Sequence, residues 1–251
     1  MAGVLTVVYG VIAYVASLAS SIYAVMWLGN MGVPKTIDSG TGGDPLESAI
    51  VDVVLLGAFA LQHSIMARPA FKRWWERYVP RQIERSTYVL ATSVLLGVIC
   101  LAWRPLPQQV WAVAGKGAVV LQALFWTGWL ITVAATFIID HLHFFGLRQS
   151  YLHAAGRPYS APEFVERLFY RVVRHPIMLG LLIAFWATPV MSAGHLLFAI
   201  VTTLYILVGL KFEERDLLDE HGASYASYCE RVPMIVPRIK ARRARHLGRS
   251  T

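Results

Sequence analysis

Long apolar runs separated by short polar connections dominate this chain. Val4 to Leu28 is the first, and at 1.5 Å per helical residue it is long enough to cross a hydrocarbon core of roughly 30 Å. A glycine-rich connection follows from Asn30 to Asp44, with Lys35 its only basic residue. Leu46 to Met66 is the second run, carrying Asp52 near its start and Gln62 and His63 near its end. Thr87 to Trp103 is the third and Ala118 to Ile139 the fourth. Two shorter arms, Ile177 to Pro189 and Leu196 to Leu210, are joined by Pro189-Val190-Met191-Ser192-Ala193-Gly194-His195 and predict a hairpin. Each arm is short for a full crossing, so it must tilt, thin the bilayer locally or stop inside the protein. The predicted fold is an all-α polytopic membrane bundle of four full spans plus a short C-terminal helical hairpin, with cytoplasmic helices besides. No internal repeat is visible.

Charge sharpens this picture. The chain is 56% hydrophobic and 15% charged with a net charge of +8, and its basic residues are segregated. Arg68, Lys72, Arg73, Arg77, Arg81 and Arg85 lie between the second and third runs. Arg148, Arg157, Arg167, Arg171 and Arg174 lie between the fourth run and the hairpin. The other connections hold only Lys35, Arg104 and Lys116. The positive-inside rule then predicts that both termini and both long basic connections are cytoplasmic, so the basic balance calls for no nucleic-acid partner. The N-terminal run lacks a preceding Lys or Arg and a convincing cleavage site, and is read as a retained span. Pro69 to Val79 interleaves Phe71, Trp74, Trp75 and Tyr78 with Lys72, Arg73 and Arg77, which suits a helix lying in the headgroup zone. The segment 238–251, with Arg238, Lys240, Arg242, Arg243, Arg245 and Arg249, reads as a disordered basic tail touching anionic lipid. Cys100 and Cys229 have no metal or disulfide spacing and are read as reduced and structural. One domain is expected over residues 1–237, with spans in 1–139 and the reactive part in 140–237.

Ionisable residues at membrane depth are costly and usually functional. Asp140-His141-Leu142-His143 ends the fourth run, Arg174-His175-Pro176 begins the hairpin, and Glu213-Glu214 stand where the return arm leaves it. Pro176 suits a first helical turn, leaving His175 at the cap and backbone N–H groups free for an anionic group. Folding the hairpin brings Arg174, Glu213, Glu214, Tyr225 and Tyr228 to one side of the bilayer. Each group has a structural alternative: an interfacial stop for Asp140 and the histidines, a topology signal for Arg174, a solvated ion-pair face for the glutamates beside Lys211 and Arg215. For the two tyrosines, three apart on one helix face, the alternative is packing. Gln62 and His63 read as satisfied core groups. A metal site is not expected, because His141 and His143 point to different helix faces. No Ser-His-Asp order, phosphate-cradling Gly loop or soluble dinucleotide fingerprint is present. The residues alone suggest a cytoplasmic pocket for a polar or zwitterionic cofactor, open to the bilayer for an apolar substrate.

The pattern Arg171-x-x-Arg174-His175-Pro176-x-Met178-x-Gly180, followed by Glu213-Glu214-x-x-Leu217, Tyr225-x-x-Tyr228 and Pro233, resembles the membrane methyltransferase superfamily that includes isoprenylcysteine carboxyl methyltransferases. Ile139-Asp140-His141-x-x-Phe144-Phe145-Gly146-Leu147-Arg148-Gln149 and Gly156-Arg157-Pro158-Tyr159 resemble a narrower group, the bacterial methanethiol S-methyltransferases and their NnrU-family relatives. The resemblance implies S-adenosylmethionine as cofactor, S-adenosylhomocysteine as product and a bacterial cytoplasmic membrane. Arg174, His175, Pro176, Met178, Leu179 and Gly180 are then expected to line the cofactor pocket. Glu213 or Glu214 is expected to bind its amino group or orient the acceptor, and Tyr225 and Tyr228 to close over the adenosine.

One departure bears on the acceptor. Carboxyl methyltransferases of this kind place an Arg one turn before the second Glu, where this chain has Leu210, so a carboxylate loses its bidentate clamp and a small neutral thiol is favoured. The narrower group is expected to carry an acidic residue near the position of His143. A thiol needs a base, since even a Cys thiol ionises only near pH 8.5. His141 is expected to be that base, with Asp140 orienting it or stabilising its cation and His143 in reserve, and Phe144, Phe145 and Tyr228 are expected to favour a sulfonium through cation–π contact. The expected acceptor is methanethiol, entering between the hairpin and the fourth run and released as dimethyl sulfide. The rival classes are transfer to another small thiol, an NADPH-dependent membrane reductase with a similar hairpin, and an NnrU-like non-enzymatic or transport protein of nitrogen-oxide metabolism.

Overall fold

The computed structural model describes residues 2–40, 42–160 and 166–237; the basic tail expected over 238–251 lies outside them. Among the described residues, five helices are long and apolar enough to cross a membrane. They are α1 (Ala2–Leu28), α2 (Pro45–Ala67), α4 (Arg81–Ala102), α5 (Gly115–Ile139) and α9 (Ala193–His221). Between α2 and α4 lies α3 (Pro69–Trp75), and α5 is followed by the short helices α6 (His141–Phe144) and α7 (Leu147–Ala154). A 3₁₀ turn, Leu168–Arg171, precedes α8 (Pro176–Trp186), and α10 (Ala223–Arg231) follows α9. The protein is an integral membrane helical bundle.

Each apolar run falls on one of these helices or on α8, but the pattern misjudges two ends, since α4 begins at Arg81 rather than Thr87 and the return arm runs on past Leu210. The return arm does not stop at Leu210; it is the first part of the 29-residue α9. Lys211, Glu213, Glu214 and Arg215 are good helix formers, so helical structure continues after apolarity ends. The outgoing arm α8 is short, at 11 residues. The chain between α8 and α9 forms β2 (Val190–Ser192), which pairs antiparallel with β1 (Gln109–Ala112), Trp111 opposite Met191. This two-stranded ribbon gives the non-helical backbone its hydrogen-bond partners at the end of the bundle away from the basic connections.

α4 lies between α1 and α2, α9 touches both α2 and α8, and α8 lies along α5. The α5–α8 contact is closest at Gly128 and Gly180, where a Cβ on Gly180 would stand 2.5 Å from the Gly128 carbonyl oxygen and 2.4 Å from Thr132 Oγ1. Small residues let membrane helices approach so that backbone packing holds them together. At the ribbon end, Trp27, Trp103 and Phe198 meet edge to face, with ring centroids 5.4–6.0 Å apart. At the basic end, α3 and the turn after it present Trp74 and Tyr78 outward among Arg73 and Arg77, while Phe71 stacks on Trp75.

Candidate active site

Pro176 opens α8 and fills a position whose N–H has no helical partner. No side chain caps this helix, so its first-turn amides face the basic end of the bundle. Arg174 and His175, just before it, are fixed through their backbone: their amides donate to the carbonyls of Pro233 (2.9 Å) and Met234 (3.1 Å). The chain leaving α10 therefore runs beside the start of α8.

The side chains converge on one carboxylate. Arg174 Nε and a terminal guanidinium nitrogen each lie 2.7 Å from Glu214 Oε1, and His175 Nε2 lies 3.1 Å from the same oxygen. Arg174 also donates to the carbonyls of Cys229 (2.9 Å) and Val232 (3.1 Å). With side-chain exposures of 10% for Arg174 and 15% for Glu214, this pair is committed within the protein, whereas Glu213 is 50% exposed and stands 3.7 Å from His175 Nδ1. Basic and acidic groups remote in sequence thus meet at one end of the bundle.

Tyr225 and Tyr228 are 1% exposed and pack with Val232, Leu217 and Cys229 in the corner between α9 and α10. The Tyr228 hydroxyl donates to the Tyr170 carbonyl at 2.6 Å. Burial raises the Tyr228 hydroxyl to about 12 and raises Tyr170 as well, Glu213 adding to the latter, so both stay protonated donors at neutral pH. The tyrosine pair forms a wall rather than an open ring face. Tyr170 is partly exposed.

At the end of α5, Asp140 caps the next helix. Its carboxylate accepts the His143 amide at 3.0 Å and pairs with Arg148. Burial works to raise the Asp140 carboxyl, but the His143 N–H and the Arg148 guanidinium outweigh it and hold it below the ordinary carboxylate range. Gly146 makes the turn that brings Arg148 back. Its φ of +84° is in the left-handed region, and a Cβ there would meet the Ser86 amide at 2.7 Å.

Asp140 makes no hydrogen bond to His141, whose ring is held by two hydroxyls. Thr136 donates to the Val133 carbonyl at 2.7 Å, so it accepts from His141 Nδ1–H at 2.8 Å. That leaves Nε2 to accept from the Tyr14 hydroxyl, 2.9 Å away. The ring also stacks on Phe137, with centroids 4.1 Å apart. His143 turns the other way, its Nδ1 3.1 Å from the Tyr159 hydroxyl and 3.3 Å from Gln149 Nε2. Burial lowers both imidazoles, against the pull of Asp140, and Arg85 lowers His143 further, so both are neutral near pH 7. The α5–α8 register puts Thr132 Oγ1 3.3 Å from the Ile177 carbonyl. One turn further along α5, Thr136 and its partner His141 are at the level of the start of α8.

The chain is 51% identical to methanethiol S-methyltransferase 2 of Bradyrhizobium diazoefficiens over 94% of its length and 91% of that protein. It is also 51% identical to methanethiol S-methyltransferase of Mycobacterium tuberculosis, over 93% of its length and 96% of the relative. The chain belongs to the methanethiol S-methyltransferase family. Nurim of Rattus norvegicus is more distant, at 29% identity over 68% of this chain and 69% of its own. No family model and no solved structure matches.

In this methanethiol S-methyltransferase family chain, a third polar group stands beside the two blocks that the sequence pattern marked. His63 of α2 faces Tyr88 of α4, with the Tyr88 hydroxyl 2.9 Å from Nε2 and 3.0 Å from Nδ1. Thr92, one turn along α4, lies 3.4 Å from His63 Nδ1 and 3.5 Å from Gln62 Oε1. The Arg85 guanidinium stands 5.0 Å over the Tyr88 ring, and Arg85 Nε donates to the Phe144 carbonyl at 3.0 Å. Arg85 therefore joins the Asp140 turn to the His63–Tyr88 pair. Read as satisfied core groups, Gln62 and His63 gave no sign of this in linear order. The usable signal was ionisable character within an apolar run, with Tyr88 and Thr92 four apart on one face of the next span.

Proposed function

We propose that this protein methylates methanethiol at the cytoplasmic face of the membrane, with S-adenosylmethionine as donor and dimethyl sulfide and S-adenosylhomocysteine as products. The observation that carries the reading is 51% identity to two methanethiol S-methyltransferases over more than nine-tenths of the chain. When bound, S-adenosylmethionine supplies an electrophilic methyl on a sulfonium sulfur.

The residues at the start of α8 suit such a cofactor. Glu213, exposed and beside His175, offers a carboxylate to a cationic amino group. The uncapped N-terminus of α8, opened by Pro176 and running on through Leu179 and Gly180, offers the Ile177 and Met178 N–H groups to a carboxylate, the Leu179 N–H being donated to the His175 carbonyl. Arg174 and Glu214 hold this frame by pairing with each other, and Tyr225 and Tyr228 back it from the α9–α10 corner. Phe144 and Phe145 supply aromatic faces near the Asp140 turn, suited to a cation.

The acceptor must lose a proton. His141 is one candidate to take it, its Nε2 reached through the Tyr14 hydroxyl, with His143 close by; Asp140 serves by holding the turn. Leu210 leaves no guanidinium for a carboxylate acceptor, which favours a neutral thiol. Residues 1–237 act as one unit, with both termini cytoplasmic and the membrane the bacterial cytoplasmic one.

Purified protein offered S-adenosylmethionine with methanethiol, and separately with an isoprenylcysteine carboxylate, tests the reading. Methylation of the thiol and not of the carboxylate is expected. The opposite preference, or binding of NADPH in place of S-adenosylmethionine, overturns it.

A further inference from the structure

The seam expected to admit the acceptor, between α5 and α8, is closed by backbone. A Cβ on Gly128 would stand 2.5 Å from the Gly180 carbonyl oxygen and 2.7 Å from the Ala184 amide nitrogen, and one on Gly180 would meet the Gly128 carbonyl just as closely. At the start of α8 the Thr132 hydroxyl lies 3.3 Å from the Ile177 carbonyl and ties the two helices again. A seam that refuses one methyl carbon refuses methanethiol, whose sulfur is larger still.

The seam between α2 and α9 is built differently. Ala60 and Ser64 on α2 and Gly209 on α9 are small, and the two helices leave an apolar groove of about 300 Å³ between them. A Cβ on Gly209 would meet nothing within 4 Å. Ser64 donates to the Tyr205 hydroxyl at 3.3 Å across the groove, so two of its polar atoms satisfy each other. Leu61 and Phe212, which also line it, are exposed on the outside of the bundle, so the open side faces lipid. Its cytoplasmic end is closed by the Arg68–Asp216 pair at 2.8 Å, with the Arg68 guanidinium 4.8 Å over the Phe212 ring. The groove therefore opens sideways to the bilayer, not to water.

The α9 wall of this groove runs on to the proposed cofactor end. Glu213 is four residues from Gly209 and three from Asp216, so it shares their side of the helix. It also stands 3.7 Å from His175 Nδ1, just before α8. About one helical turn separates the open space at Gly209 from the carboxylate offered to the cofactor amine. Glu214, the next residue, turns inward to Arg174. A small neutral thiol suits a groove with this lining, since it carries no charge to desolvate on the way in.

We propose that the α2–α9 groove takes methanethiol from the bilayer and passes it to the cofactor end, with Ser64 and Gly209 setting the size it admits. The inference rests on the methyl-transfer reading above.

The test measures methanethiol kinetics and the Kd for S-adenosylhomocysteine in three variants. Gly209→Phe and Leu61→Trp fill the groove from its two walls, and Leu130→Trp adds bulk on the exposed face of α5 instead. Both groove variants are expected to lose roughly tenfold or more in kcat/KM for methanethiol, with kcat at saturating thiol unchanged. The Kd for S-adenosylhomocysteine should stay at the wild-type value in all three, which also shows that they fold, and Leu130→Trp should keep wild-type kinetics. Wild-type kcat/KM in both groove variants means that the groove holds only lipid, and overturns the assignment while leaving the reaction in place. So does an equal loss in Leu130→Trp, or a loss in the groove variants matched by weaker S-adenosylhomocysteine binding. A wild type that makes no dimethyl sulfide overturns the reaction and the assignment together.

Discussion

His175 shares a single carboxylate oxygen with Arg174: its Nε2 lies 3.1 Å from Glu214 Oε1, on which two guanidinium nitrogens converge at 2.7 Å. This oxygen ties the start of α8 to α9, and the arginine ties both to the chain leaving α10 through the Cys229 and Val232 carbonyls. Removing one partner strands the other charge in a mostly buried place. Glu214→Ala is therefore expected to destabilise the fold by about 3 kcal/mol. Thermal unfolding in detergent measures it, and the double variant with Arg174→Ala should cost less than the sum of the singles.

Glu213, one residue away, should behave differently. Half exposed, it has little to lose in the fold, so Glu213→Gln is expected to unfold like wild type. A hydrogen bond to a charged group contributes about 1.5–3 kcal/mol, so its loss should weaken S-adenosylmethionine binding by roughly tenfold or more. Isothermal titration of both variants separates the two neighbouring glutamates.

The α5–α8 contact gives a packing prediction. Gly180→Val would drive side-chain atoms into the Gly128 carbonyl and Thr132, and neither backbone can retreat without parting the helices. Overpacking of this kind typically costs about 1–3 kcal/mol, here with loss of activity because α8 carries His175 at its end. Gly209→Ala, where a Cβ meets nothing within 4 Å, is the control and should fold normally.

Asp140 makes a pH prediction. The folded state holds its carboxyl below the ordinary value of 3.8, so the unfolded chain binds the proton more readily. The stabilisation is complete above that ordinary value and is lost as pH falls through the lowered folded one. Unfolding midpoints of wild type and Asp140→Asn should differ at neutral pH and converge in acid.

Much of this was legible in linear sequence because bilayer physics leaves few choices: an apolar run of more than twenty residues must be a spanning helix. The convergence of Arg174, His175 and Glu214 was legible for the same reason, since a hairpin returns its two ends to one side. The end of α9 was not, because apolarity ends at Leu210 while helix propensity continues through Lys211–Arg215. The partner of Asp140 was not either: a tight turn at Gly146 brings Arg148 to it, while the adjacent His141 ring is held by Thr136 and Tyr14. His63 and Tyr88 meet only through the pairing of α2 with α4, a tertiary fact that no spacing in the sequence encodes.

The measurement that bears most directly on the account is the fate of a deuterated methyl group. Purified protein incubated with S-adenosylmethionine labelled at its methyl carbon, and with unlabelled methanethiol, should release dimethyl sulfide carrying one labelled and one unlabelled methyl by gas chromatography and mass spectrometry. Release of unlabelled dimethyl sulfide only, or none above a boiled control, would contradict it.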